Sequence, residues 1–346
     1  MGACQLTSSS PCLERLVLDE SLTLSECRQF QEKLSLLWES WREFQANGKL
    51  THPKTIRPEV LASWERCKAR GIDPYSPLDT VYAQEEELNR RREKSRILIE
   101  VASPVLQTLA KRLAGSHFRV DLLDPDLFFL AQFGEPSVME ESSKRYSVPG
   151  GNRGEKSCGT NAINLAALLL EPGQLVGPEH YNVNLHYWTC SAVPILSPQK
   201  ELIGVINIAG HFSLLHTHTL GMAVAVGKAI EQSLQQRELL DALEFSHEYL
   251  SNVFHSVSDG IITIDANGII TTFNRAAGMF LGREPGKVVG LSVEKVFGTE
   301  NPFTKVLSTG ERMVNREIPL RVGGHARVFV GTIEPLKTRQ GLEGVV

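Results

Sequence analysis

Several absences narrow the possibilities before any motif is read. No apolar run in the 346 residues is long enough to span a bilayer, and Met1-Gly2-Ala3-Cys4 lacks the charged start and apolar stretch of a secretion signal. The six cysteines (Cys4, Cys12, Cys27, Cys67, Cys158 and Cys190) are scattered with no C-x-x-C pair, which fits reduced cytoplasmic thiols better than a disulfide framework. Basic residues are not in excess: the net charge is -4, and neither a basic face nor a helix-turn-helix is legible. A complete phosphate loop is also missing. The nearest candidate, Gly282-Arg283-Glu284-Pro285-Gly286-Lys287-Val288, is one residue short and lacks the Ser or Thr that would hold magnesium. These gaps exclude a membrane span and argue against nucleic-acid binding or ATP hydrolysis by this chain alone.

What is present is apolar patterning for more than one core, since 42% of the chain is hydrophobic. The pattern predicts an α+β protein in four parts. Residues 1–95 read as a helical segment, with Leu34, Leu37, Trp38 and Trp41 at three- and four-residue spacing and Pro58 to Arg70 as a short helix stopped by Gly71. Glu85 to Glu87 ahead of Arg90 to Arg92 suits a solvated helix face more than a nucleic-acid arm. Residues 96–219 mix a helix from Ile97 to Leu113, strands at 118–123, 127–130, 191–196 and 202–209, and a helix from Gly159 to Leu170. Strands joined by hairpin-length turns predict a central antiparallel sheet.

Residues 220–257 hold one spacing. Met222, Ala225, Ala229, Gln232, Gln236, Leu239, Leu243, Ser246, Leu250, Val253 and Val257 alternate steps of three and four, which is a heptad seam with a polar middle. The seam predicts a homodimer held by Leu239, Leu243, Leu250 and Val253; the alternative is a helix lying on its own domain. Residues 258–346 begin a second α+β domain. Strands 261–264 and 269–273 flank the turn Asp265-Ala266-Asn267-Gly268, Asn274 caps a helix, and strands follow at 316–320 and 327–333. Gly344-Val345-Val346 resembles the start of another strand. Ile262, Ile264, Ile270, Phe273 and Phe280 are expected to form a dry core there.

The chemistry-bearing residues gather in the first α+β domain. Glu155, Thr160 and Asn161 are followed by His180, Tyr181, His186, Trp188, Cys190 and Ser191 within about forty residues, the mix expected of a small-molecule pocket. Each has a plainer reading. Thr160 and Asn161 could bind a ligand at a helix start or only cap it. Glu179, His180, His186 and Cys190 do not match a zinc spacing, so no metal is expected. Cys158 and Cys190 would need a depressed thiol pKa to act as a thiol enzyme. Ser246-His247-Glu248-Tyr249-Leu250 is a five-residue likeness to a phosphoacceptor box and no more.

Gly154 to Ile163 and His186 to Ile195, with Glu179-His180-Tyr181, resemble the two GAF-domain signatures of bacterial sigma-54-dependent transcriptional activators, in particular the regulators of acetoin and dihydroxyacetone operons. Ile56-Arg57-Pro58 and Ser63 to Cys67 resemble the helix before that GAF domain, and Asp259 to Ala277 resembles a PAS domain. Two positions depart from the family: Arg153-Gly154 stands where an aromatic and a serine are usual, and Asn164 where glycine is usual. The resemblance implies a sensory region without enzymatic activity or cofactor. It would be driven by a small metabolite or by a docked metabolic-enzyme subunit. DNA and RNA polymerase would be reached only through a downstream ATPase and a helix-turn-helix that this chain does not contain.

Overall fold

The computed structural model describes residues 24–346 apart from 79–80, 323–324 and 339–340. Met1 to Cys4, Cys12 and the start of the expected helical segment lie outside the described residues. The chain divides into two compact units, one ending at Glu238 and the other running from Leu239 to Val346.

In the first unit, helices α1 (Leu24–Asn47), α2 (Pro58–Ala69), α3 (Glu85–Lys94) and α4 (Arg96–Arg112) precede the sheet. The three-four spacing read in the sequence is the reason α1 packs: Leu34, Leu37, Trp41 and Phe44 share one buried face, while Trp38 is half-buried beside them. Pro58 opens α2, where a missing N–H costs nothing, and Val60, Ser63, Trp64 and Cys67 turn inward.

The sheet is built from β1 (Arg119–Leu123), β2 (Phe129–Gly134), β3 (Gly173–Val176), β4 (Trp188–Leu196) and β5 (Leu202–His211) in the order β2-β1-β5-β4-β3. Every pairing is antiparallel. Helices α5 (Pro136–Lys144), α6 (Glu155–Cys158) and α7 (Ala162–Leu169) lie between β2 and β3 in sequence. Neither β3 nor α5 was legible in the sequence. Both faces of the sheet are covered, so its strands read as continuous apolar runs. Val120, Leu122, Val193, Ile195, Ile206 and Ile208 form the outer face against Leu98, Ala102 and Leu106 of α4. Ala223 and Ile230, from the helix α8 (Thr217–Ser256), join them there. The inner face, with Leu123, Phe129, Trp188, Cys190 and Ala209, meets α1, α2 and α7. The N-terminal helices therefore share a core with the sheet across residue 95, and the boundary between compact units falls instead within α8.

The helix expected from Gly159 to Leu170 begins three residues later. Gly159 takes φ 71°, and a Cβ there would meet the Tyr181 Cβ at 2.7 Å, so this glycine breaks the chain between α6 and α7.

In the second unit β6 (Ile262–Asp265) and β7 (Ile270–Phe273) form the expected hairpin, with Gly268 at φ 75°. Helices α9 (Arg275–Leu281), α10 (Pro285–Val288), α11 (Val293–Phe297) and α12 (Pro302–Thr309) follow. Asn274 caps α9 as expected, its Oδ1 accepting from the Ala277 N–H at 2.9 Å. Strands β8 (Met313–Val322) and β9 (His325–Ile333) pair with each other, while β10 (Pro335–Thr338) and β11 (Gly341–Val345) complete a second sheet in the order β10-β11-β6-β7. Ile264, Ile270 and Phe273 are buried as expected. Phe280 is not: it is 46% exposed, and with half-buried Ile262 it borders a cavity of about 530 Å³ that Phe303, Ile318, Phe329 and Asn315 also line. The core of this unit is therefore less completely filled than the apolar pattern suggested.

The expected seam of α8 faces outward. Ala223, Gly227 and Ile230 bury against the sheet, and Gly227 is needed because a Cβ would stand 2.9 Å from Val193 Cγ1. Ala225, Ala229, Gln232 and Gln236 are exposed on the other side, followed by Leu239 (69% exposed), Leu243, Leu250 and Val253.

Candidate functional site

Two groups of polar residues in the first unit do different things. The first is the signature set singled out in the sequence. Glu155 opens α6 and is held by three partners from α2: Ser63 Oγ at 2.6 Å, Arg66 Nη2 at 2.6 Å and Arg70 Nη1 at 2.6 Å. Burial works to raise the Glu155 carboxyl, and the bonds from Arg66 and Ser63 outweigh it, holding the group below its usual range. Thr160 Oγ1 lies 2.7 Å from Ser63 Oγ. Asn161 is the N-cap of α7. Its Oδ1 accepts from the Asn164 N–H at 3.0 Å, and Asn164 returns the bond, so the asparagine found in place of glycine completes a capping box. The Asn161 amide also donates to the Arg153 and Gly159 carbonyls.

His180, Tyr181 and His186 serve the same junction. Trp64 Nε1 donates to the Glu179 carbonyl at 2.9 Å, and Trp41 Nε1 to the Tyr181 carbonyl at 3.0 Å. His180 Nδ1 faces the Gly177 carbonyl and His186 Nε2 the His180 carbonyl. The His186 ring is gripped edge-on by Trp38 and Trp41, with centroids 4.6 and 4.8 Å away. Burial drives His180 down to about 4 and His186 down to about 3. Both rings are neutral near pH 7, and neither is arranged toward a metal. Ser191 Oγ accepts from Gln174 Nε2 across the β3–β4 pair. Glu155, Thr160 and His186 thus converge on α1 and α2, and Tyr181 also borders an open cavity of about 580 Å³ with Gln45, Lys68, Pro74 and Tyr75.

The second group lies on the inner face of the sheet, where β1, β2, β4 and β5 bring together residues far apart in sequence. Register sets Gln132, Asp121 and Asn207 in one row. Asp121, fully buried, accepts from Arg119 Nε at 2.9 Å, Gln132 Nε2 at 2.8 Å and Asn207 Nδ2 at 2.8 Å. Arg119 also donates to Ser142 Oγ of α5, and its guanidinium stacks 4.3 Å above the Trp188 ring. Arg153, 2% exposed, donates to the Asn152 and Tyr146 carbonyls and to Ser147 Oγ, with its guanidinium 5.0 Å from the Phe129 ring centre. Burial pulls that guanidinium below its ordinary value. Ser142 Oγ accepts from Arg119 and its carbonyl accepts from the Ser147 N–H, while Ser147 Oγ accepts from Arg153, so one segment bridges the two guanidiniums.

Burial dominates the thiols as well, pushing Cys158 up to about 11 and Cys190 up to about 12. A thiolate nucleophile at either position is disfavoured. Of the sequence candidates only Trp188 and Cys190 belong to this second group. Arg119, Asp121 and Asn207 were missed because strand pairing, not proximity in sequence, assembles them. Arg153 did leave a signal, as a cation standing where an aromatic is usual.

Residues 248–346 match the PAS fold family, so the second unit is a PAS domain. Across a longer stretch the chain is 30% identical over 264 residues to the signal-transduction and transcriptional-control protein of Clostridium beijerinckii, an alignment covering 76% of this chain and 42% of that protein. It is 31% identical over 219 residues to the acetoin dehydrogenase operon transcriptional activator AcoR of Bacillus subtilis, covering 63% of this chain and 36% of AcoR. The chain is a relative of these transcriptional regulators. It spans about two fifths of their length. The crystal structure of the E. coli DhaR(N)–DhaL complex contains a chain that superposes with a TM-score of 0.74 at 20% identity, over 84% of this chain and 98% of that one. That likeness is one of fold. Among the described residues no helix is long and apolar enough to cross a membrane.

Proposed function

We propose that this chain is the cytoplasmic sensory region of a bacterial transcriptional regulator. It performs no turnover of its own. It senses a metabolite or a docked partner and passes that state to ATPase and DNA-binding domains outside this chain. The first unit is read as the GAF sensor, α8 as the relay, and the PAS domain as the next element in line. The observation that carries the reading is the two-sided character of α8. One face, through Ala223, Gly227 and Ile230, is part of the sensor's core, while the heptad positions that continue past Glu238 remain free for a second copy. A change in the sensor core therefore acts directly on the helix that would pair. The bias available is the effector's difference in affinity for the two states, typically ~1–3 kcal/mol.

Sedimentation equilibrium tests the pairing. The chain should run as a dimer, and Leu243→Asp as a folded monomer. A monomeric wild type would remove the relay. In the complete regulator, inserting two residues at Gln235 should uncouple effector from output while leaving binding intact.

A second reading has its own observation: the fold match is to a regulator fragment solved together with DhaL. A metabolic-enzyme subunit could dock on this region in place of a small ligand. Capture of a purified subunit of that kind, with no stabilisation by any metabolite, would favour docking.

A further inference from the structure

We propose that the inner face of the first unit's sheet, around Arg119, Arg153, Asn207 and Trp188, binds a small hydroxycarboxylate. The inference deepens the sensory reading and rests on it for its regulatory meaning, though the binding can be measured without it.

The argument starts from charge. Two guanidiniums, Arg119 and Arg153, are buried in this part of the unit beside one buried carboxylate, Asp121, and that carboxylate pairs with Arg119 at 2.9 Å. Among the described residues Arg153 has no ion-pair partner. Its hydrogen-bond acceptors are two neutral carbonyls and a serine hydroxyl, and an aromatic ring lies against it. Fully buried cations are ordinarily paired, because neutral acceptors compensate only part of the lost hydration. One positive charge is therefore left over in this interior.

The hydrogen-bond inventory adds shape to that surplus. Three buried polar atoms beside the same Arg119–Asp121 pair have no partner: the Trp188 Nε1 donor and the acceptor oxygens Asn207 Oδ1 and Gln132 Oε1. Buried groups of this kind normally find one. Turning either amide over would not help. Both NH2 groups already donate to Asp121, and a flipped amide would set its oxygen against the carboxylate. The unmet set is thus one positive charge, one N–H donor and two carbonyl acceptors. Its complement carries one negative charge, acceptor oxygens and at least one hydroxyl donor.

A short hydroxy acid has those groups and few others. A neutral diol would satisfy the two carboxamide oxygens and leave the Arg153 charge unmet. A dicarboxylate would bring a second negative charge against Asp121. In the bound arrangement the ligand carboxylate takes the guanidinium and indole N–H side, and the hydroxyl donates toward Asn207 and Gln132. This site shares Trp188 with the signature residues, while Glu155, Thr160, Tyr181 and His186 hold α1 and α2.

Calorimetric titration and thermal melts of the intact chain test the proposal, using glycolate, lactate and glycerate against ethylene glycol, propane-1,2-diol, glycerol and acetate. The acids with a hydroxyl should bind and raise Tm in proportion to the logarithm of their concentration. Acetate should bind roughly tenfold more weakly, for loss of one charge-flanked hydrogen bond, and the diols more weakly still. Arg153→Met should abolish the response. Should that variant not fold, Trp188→Phe keeps the ring and removes only the orphan N–H, and it should weaken binding by roughly five- to tenfold. Diols matching the acids, a hydroxy-acid affinity unchanged in Trp188→Phe, or no response to any acid would each overturn the proposal. Sedimentation of the same samples separates the two claims: a dimer that binds none of the acids sinks this site and leaves the sensory reading standing.

Discussion

Within the first unit, the junction around Glu155, Asn161 and His186 and the sheet face around Asp121 and Arg153 are both buried and both polar, yet they differ in how their charges are matched. At the junction Glu155 has three donors, Asn161 and Asn164 cap each other's helix end, and two indole N–H groups find carbonyls, while His180 Nε2 and His186 Nδ1 have no partner. On the sheet face Arg153 lacks an anion and three polar atoms lack partners. A charge already paired fixes one arrangement; a buried cation without an anion is waiting for something to complete it. The dense motif in the sequence marks the first kind. The second kind is scattered over four strands and a loop.

Substitutions should separate the two regions, beginning with the largest effect. Trp64 is fully buried in the junction, so Trp64→Ala should cost about 3–5 kcal/mol in urea unfolding. A loss under ~1 kcal/mol would show that α2 is not part of this core. Acid should act next, and on the same side. His180 and His186 have folded values near 4 and 3 against an ordinary 6.5, so the unfolded chain binds protons first. Stability is full above about pH 6.5 and falls as pH drops toward 4, by about 1 kcal/mol per pH unit for each ring. Tm measured from pH 7.5 to 5 should fall, and His186→Gln should flatten the fall. Asn161→Ala removes a cap and should cost about 1–2 kcal/mol without changing ligand affinity. Trp188→Phe should cost less than about 1 kcal/mol, since the lost N–H had no partner. A Trp188→Phe penalty as large as that of Asn161→Ala would erase the distinction between the regions.

How much of this was legible in the sequence follows from what periodicity can carry. Helices α1, α2 and α4, the β6–β7 hairpin and the Asn274 cap were read from local spacing and turn chemistry, and the structure places them within a few residues. The helix α8 was readable too, because three-four spacing is a local pattern. Strand β3 was not, since Gly173 to Val176 is short and its pairing partner Thr189 to Ala192 lies beyond two single-turn segments. The signature residues read in the sequence as a pocket. Their real neighbours are Trp41, Ser63, Trp64 and Arg66, more than ninety residues upstream in most cases, and no spacing rule links them. The charge imbalance at Arg153 emerges only once the sheet register brings Arg119 and Asp121 beside it.

Hydrogen exchange with and without saturating glycerate tests the central contrast most directly. The account predicts new protection in residues 136–153 and along β1 and β5 near Arg119 and Asn207, with residues 155–164 and 179–187 unchanged. Protection confined to residues 155–164 and 179–187 would contradict it and return the ligand to the signature motif.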